Sequence, residues 1–382
     1  GPYYFTVDQT APTGQLSISD GTDTSVFKKL SDTLRYWIFK QSPVTVNGTA
    51  EDATSGLSTA EYMVYAPDQT GDSFSGLTYE QLASIGADTW KPWTGSVTIN
   101  ASEKGFLYLK LTDKAGNVSF INTSDGIIVD DGTGMDVQIT PQTDVPKNGV
   151  YKADVPFKIN VTAPEDDKAF TGIHHIDWRV EANGKTTQSG NYDSKTDTDA
   201  NRAAILRQFS HSETVKSSLN NSNDVKIFVS VEDWAGNRKE TSISLAIDTT
   251  DPKISASYDN NNVKNNLYFN TERNMTLTVR ERNFNEDDLV LPLQIGKNNV
   301  RVSMQDIRDG KYGLTMVSDR VDSEKNTSND AYTDNRTNTY VIGFGHAEDC
   351  DEDFHVSAQV SDLAGNETNQ IQFANGSKAT DA

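Results

Sequence analysis

The sequence predicts an all-β chain of three tandem β-sandwich domains, and three observations carry that expectation. The 382 residues run well beyond the roughly 100 to 150 of one usual domain, so several cores are expected. One punctuation mark recurs at sandwich-sized spacing: Leu-Thr-Asp-Lys-Ala-Gly-Asn ending at Asn117, Val-Glu-Asp-Trp-Ala-Gly-Asn ending at Asn237, and Val-Ser-Asp-Leu-Ala-Gly-Asn ending at Asn366. Each copy follows apolar residues read at period two: Phe106, Tyr108, Leu109 and Leu111; Val225, Ile227, Val229 and Val231; Phe354, Val356, Ala358 and Val360.

The elements follow in chain order. Val7-Asp8-Gln9-Thr10-Ala11-Pro12 and Ile247-Asp248-Thr249-Thr250-Asp251-Pro252 close one strand and open the next domain, with proline suited to a first or edge strand; Val129-Asp130-Asp131-Gly132 does the same without proline. The domains are therefore expected at 3–131, 132–248 and 249–382, on linkers too short for free tumbling. Gly1-Pro2 reads as the remnant of a cleaved tag, and the pattern opens and closes within a repeat, so a longer parent protein is expected.

The stretch Ser25–Lys40 predicts a short amphipathic helical insertion at about 24–40 in the first domain. At helical spacing Val26, Phe27, Leu30, Leu34, Trp37 and Ile38 fall in one arc of about 120°, and Asp23 or Thr24 can cap its start. The opposite face carries Arg35, Tyr36 and Phe39, a candidate contact surface for a partner protein. The alternatives are a helix ending near Leu34, with Leu34, Tyr36 and Ile38 continuing as a strand, or packing of both aromatics on a neighbouring loop.

Asp52-Ala53-Thr54-Ser55-Gly56-Leu57 and Phe170-Thr171-Gly172-Ile173 each read as a loop feeding a middle strand. Gly116, Gly236 and Gly365 supply the positive φ of a tight hairpin turn, and the Asp before each can accept N–H groups across it. Residues 296–338 read as a long polar loop of the third domain. Trp90 and Trp93 flank Pro92 in a loop, and Trp234 stands where the other repeats have Lys114 and Leu363. These three are candidate anchors, with packing on the sandwich the equal alternative.

Charge and chemistry narrow the function. A net charge of −21 repels phosphate backbones and anionic lipid, so nucleic acid is not expected as a partner. No apolar run is long enough to span a membrane, and the single cysteine, Cys350, allows no internal disulfide. Nucleophile elbows, His-Glu-x-x-His, phosphate-binding glycine loops and spaced cysteine ligands do not occur; no catalytic residues and no enzyme activity are expected. His174 and His175 are adjacent, so a strand would point them to opposite faces. Asp349, Asp351 and Asp353 start like a calcium loop, but Phe354 and Val360 stand where its glycine and glutamate belong. No metal or cofactor is therefore assigned, apart from calcium where a domain-opening Asp such as Asp8 or Asp248 meets a turn of the next domain.

Together the Val-Asp-x-Thr-Ala-Pro opening, the Ser-Gly-Leu turn and the Asp-x-Ala-Gly-Asn hairpin resemble the bacterial Ig-like repeats of large Gram-positive surface proteins. The third repeat, with Ala256–Asn260, Leu267–Asn270 and Thr276–Phe284, is similar to repeats of gut Firmicutes surface proteins, some of them immunoglobulin-binding B-cell superantigens. The resemblance implies three tandem Ig-like β-sandwich domains and a monomeric, extracellular, cell-surface location. It further implies a non-enzymatic, adhesin-like segment contacting a host macromolecule, immunoglobulin or glycan. Two alternatives stand beside that reading: a stalk projecting a distal domain, and accessory carbohydrate-binding modules of a secreted glycosidase.

Overall fold

A computed structural model of the chain describes residues 2–19, 28–29, 36–40, 43–66, 77–123, 126–194, 206–259, 268–325, 332–345 and 351–373. The chain is all-β, and three sandwiches of the Ig-like kind follow one another along it. In the first, Thr13–Ser19, Val44–Glu51 and Ser96–Ile99 form one sheet, and Tyr36–Lys40, Gly126–Asp130, Glu103–Asp113 and Leu57–Tyr65 lie side by side in the other. Val44, Val46 and Ile99 from one sheet meet Phe39, Leu107, Ile127 and Val129 from the other.

The middle sandwich shows the cause of the fold most directly. Val155–Thr162 alternates buried and half-buried positions, so Val155, Phe157, Ile159 and Val161 all point inward. They pack against Ile176, Trp178 and Val180 and against Val225, Ile227, Val229 and Val231 of the facing sheet. A period-two pattern on a pleated strand puts its whole apolar set on one face, and water is excluded only when two such faces meet. In the third sandwich, Lys253–Tyr258, Arg273–Arg280, Thr337–Phe344 and Leu314–Asp322 form the larger sheet, and Val290–Ile295 pairs with Asn298–Ser303 and Phe354–Val356 in the smaller.

Three local expectations change. Tyr36–Lys40 is a strand and not a helix, running parallel to Gly126–Asp130 with Trp37 opposite Ile127 and Phe39 opposite Val129. Its alternation sends Phe39 (8% exposed) and part of Trp37 into the sandwich core, and Ile38, also buried, out of that face. Lys28–Lys29 pairs with this strand, while Leu30, Leu34 and Arg35 lie outside the described residues. Among the described residues the first sandwich has a helix at Tyr79–Ala83, started by a capping box between Thr78 and Gln81.

That helix explains the second change, since a period-two reading of residues 106–111 implies a half-buried strand. Glu103–Asp113 is buried on both faces: Leu107 faces the sandwich, while Phe106 and Tyr108 face Leu82 of the helix and Trp90. Third, residues 296–338 are not one loop. They hold the strand Asn298–Ser303, the capped helix Met304–Arg308 with Met304 and Ile307 buried, and the strand Leu314–Asp322. The composition is polar because one side of this excursion faces water, where Arg308 is held by Asp319 and Glu286.

Candidate functional site

The repeated hairpins meet the chain segments that open each sandwich, and the same joint is built three times. Within each hairpin the Asp N–H donates to the Asn carbonyl and the Asn N–H returns to the Asp carboxylate, at 2.8, 2.8 and 2.9 Å for Asn117, Asn237 and Asn366. The glycine between them takes φ of +93°, +86° and +84°, a region that favours glycine. This turn aims the Asn carboxamide outward from the hairpin. Its Nδ2 donates to the carboxylate of the hairpin Asp and to the backbone carbonyl of the opening Asp. The latter bonds are Asn117 to Asp8 at 3.1 Å, Asn237 to Asp130 at 3.0 Å and Asn366 to Asp248 at 2.9 Å.

The opening Asp is fixed in turn by its own carboxylate. One oxygen accepts the N–H two residues on, from Thr10, Gly132 and Thr250, a local Asx turn. The other reaches the loop before the middle strand. Asp8 accepts from the Ser55 N–H, Asp130 from the N–H and hydroxyl of Thr171, and Asp248 from Asn283 and from Arg282 at 3.2 Å. Arg282 also donates to the Ile247 carbonyl, the last residue of the preceding sandwich.

A lysine closes two of the joints from the other side. Lys40, ending the strand parallel to Gly126–Asp130, donates to the Gly236 carbonyl at 2.7 Å. Lys152 follows Val150–Tyr151, which is parallel to Arg238–Ile247, and donates to the Gly365 carbonyl at 2.7 Å. Each ammonium thus belongs to one sandwich and each carbonyl to the next.

Burial sets the electrostatics. Burial alone would push the Asp113 carboxyl up, but N–H donors from Asn117, Gly116 and Ala115 hold it below the usual range. Its counterpart Asp233 is enclosed beside Asp130, and burial followed by the Asp130 charge raises it to about 7. Asp130 and Asp362 are raised for the same first reason, burial. Glu281 is raised by burial, with the charges of Asp248 and Asp362 adding to it.

Carboxylate oxygens of Asp8, Asp52 and Asp113 lie within 4.8 Å of one another, as do those of Asp248, Glu281 and Asp362. The donor chemistry is that of a hard cation. These carboxylates already accept N–H groups, and at Asp248 the Arg282 guanidinium supplies positive charge.

Residues 11–131 match the family of bacterial Ig-like domains. Comparison with curated proteins gives no match. Solved structures similar to the chain include one concerned with host cell surface retention of a 1.5-MDa bacterial ice-binding adhesin, at 12% identity over 96% of this chain and 97% of that one, TM-score 0.28. A tetra-tandem repeat from the extending region of a large adhesion protein is similar at 13% identity over 93% and 72%, TM-score 0.31. The fibronectin(III)-like modules of Clostridium thermocellum CbhA are similar at 13% identity over 61% and 95%, TM-score 0.20. Likenesses this distant carry no functional weight.

Among the described side chains, Phe39, Trp90, Trp93 and Trp234 are not gathered on one surface. Phe39 and Trp90, at 8% and 5% exposure, sit in two different clusters of the first sandwich. Trp90 packs on Phe120, and Trp93 packs edge-on against Tyr62. Trp234 is half-buried and stacks on His174, ring centroids 4.0 Å apart. Tyr36 has its backbone in the strand, and the EF-like run from Asp349 and Cys350 lies partly outside the described residues. His174 is buried while His175 turns to Asp177, 3.0 Å away.

Sequence reading found the opening Asp and the hairpin Asp and Asn of each joint, but not Lys40, Lys152, Thr171, Glu281 or Arg282. Lys40 and Lys152 do share a signal: each ends a short apolar run, Ile38-Phe39 and Val150-Tyr151, shortly before a strand containing or preceded by proline.

Proposed function

We propose that this chain is a non-enzymatic, extracellular extender on a bacterial surface, a semi-rigid string of Ig-like sandwiches that carries adhesin-like contacts away from the cell. One observation carries the reading: the joints at Asp130 and Asp248 are closed by the same three devices, an Asn carboxamide on the opening carbonyl, a capped opening carboxylate, and a lysine from the preceding sandwich. A chain that needed its modules to move independently would gain nothing from bonding each linker to the next hairpin. The bacterial Ig-like match over residues 11–131 supports the setting. Host protein or glycan contact belongs to the same proposal as an activity of an exposed surface, since Phe39 and Trp90 serve the core.

The test is small-angle X-ray scattering on the whole chain and on the double variant Lys40→Ala, Asn237→Ala. The native chain is expected to give a narrow distribution of dimensions that broadens in the variant while circular dichroism stays the same. Equal breadth in both proteins would overturn the extender reading.

A further inference from the structure

The first hairpin makes the same clasp on its opening Asp as the later two, without their closing lysine among the described residues. Asn117 holds the Asp8 carbonyl and Asp8 accepts from Ser55 and Thr10, as at the later joints. Among the described residues, however, no hydrogen bond reaches the Gly116 carbonyl, the atom whose equivalents Gly236 and Gly365 receive Lys40 and Lys152. Ala115 is exposed where Ala235 is 0% exposed.

The segment leading into Asp8 gives the second line of argument. Asp130 is preceded by Ile127, Ile128 and Val129, and Asp248 by Leu245 and Ile247, all buried as last strands of a sandwich. Asp8 is preceded by Tyr4, Phe5 and Val7, at 90%, 87% and 67% exposure. Apolar side chains in this number are seldom left in water without a partner, and the run has the composition of a strand that completes a sheet.

We propose that the Asp113–Asn117 hairpin is a joint of the same kind, a socket for the lysine-bearing end of another Ig-like sandwich whose last strand is the Tyr3–Val7 run. The occupant is fixed by complementarity: a strand end delivering Asp8 to Asn117, and beside it a parallel short strand ending in an ammonium that meets the Gly116 carbonyl. This inference rests on the extender reading, because it takes the two later joints as the pattern.

The experiment grafts residues 132–242 in place of residues 1–2 of the full chain, so that Tyr3–Val7 takes the place of Ile243–Ile247 at the end of the last strand and runs into Asp8 as Ile247 runs into Asp248. Amide hydrogen exchange at Ala115, Gly116 and Asn117 is expected to slow by about tenfold or more, and Lys152→Ala in the grafted copy should return much of it. A flexible Gly-Ser linker inserted before Asp8 should abolish the protection while both neighbours stay folded. A graft carrying the first sandwich, with Lys40 as the closing lysine, repeats the test should the first graft fold poorly.

Unchanged exchange at these amides, with the grafted core protected, would overturn the proposal. Asn237→Ala and Asn366→Ala separate the two readings. If they loosen the existing joints and the graft still gives no protection, only the socket fails; if they loosen nothing, the extender reading fails with it.

Discussion

Asn237 ties two chain segments together: its carboxamide Nδ2 reaches the Asp130 carbonyl and the Asp233 carboxylate, and its backbone N–H closes the hairpin. The group is 2% exposed, so water cannot replace these bonds once it is removed. Asn237→Ala is therefore expected to cost the second sandwich about 1 to 3 kcal/mol, the range for leaving buried partners unsatisfied, read by urea denaturation. Asn237→Asp should cost more, because it sets a third carboxylate against Asp130 and Asp233 with no donor between them. The same change at the half-buried Asn117 should cost less than at Asn237, since solvent reaches the broken bonds. Trp90, the nearest case of a residue chosen for surface chemistry and found in packing, lies tilted against Phe120 in the cluster around Tyr108. Trp90→Ala should accordingly lower the stability of the first sandwich by about 3 to 5 kcal/mol.

The hairpin is the element in which one sequence acquires two electrostatic states. Asp113, buried but beside a half-buried Asp8, is held below the usual carboxylate range by its N–H donors, whereas Asp233, sealed against the buried Asp130, rises to about 7. A group raised in the folded state adds stability that is full below its unfolded value, near 4, and is lost as pH climbs through about 7. Melting of the second sandwich, followed by calorimetry, should therefore shift upward as pH falls from about 8 to about 5. Asp233→Asn should flatten that slope, and a slope unchanged in the variant would assign it elsewhere. At lower pH the trend in the second sandwich is opposed by Asp154, which the Ser217 N–H and hydroxyl and Lys216 hold below the usual range and which loses stabilising charge when protonated; in the third sandwich Asp306, held down to about 2 by Lys311 and the Ser303 cap, and Asp322, held down by Arg336, do the same. The hairpins themselves were legible because glycine at positive φ and the Asp and Asn beside it act within seven residues of chain. Lys40 and Lys152 were not, since their carbonyl partners lie 196 and 213 residues away. At Tyr36–Lys40 the helical stripe misled for a different reason: Trp37 and Ile38 fit a helical arc and a strand covered on both faces equally well, and the neighbouring Gly126–Asp130 strand decides between them.

Over the whole molecule the net charge of −21 pushes the sandwiches apart, and the joints decide how far that repulsion can act. Charges on neighbouring sandwiches interact over a screening length of about 30 Å at 10 mM salt and about 8 Å at physiological salt. If the linkers were loose, removing salt would extend the array and adding it would let the sandwiches fold back on one another. Linkers as short as Asp130–Thr133 and Asp248–Asp251, each bonded at its opening Asp to the following hairpin and tightened by its own Asx turn, leave little freedom for either. The largest dimension from X-ray scattering should thus stay nearly constant between low and physiological salt in the native chain. A variant with a Gly-Ser insertion after Asp130 and another after Asp248 should shrink as salt is added, which shows that the repulsion is present and that the joints resist it. Salt-dependent contraction of the native chain to the same extent would mean that the clasps open and close in solution, and that the array is held straight by charge instead of by its joints.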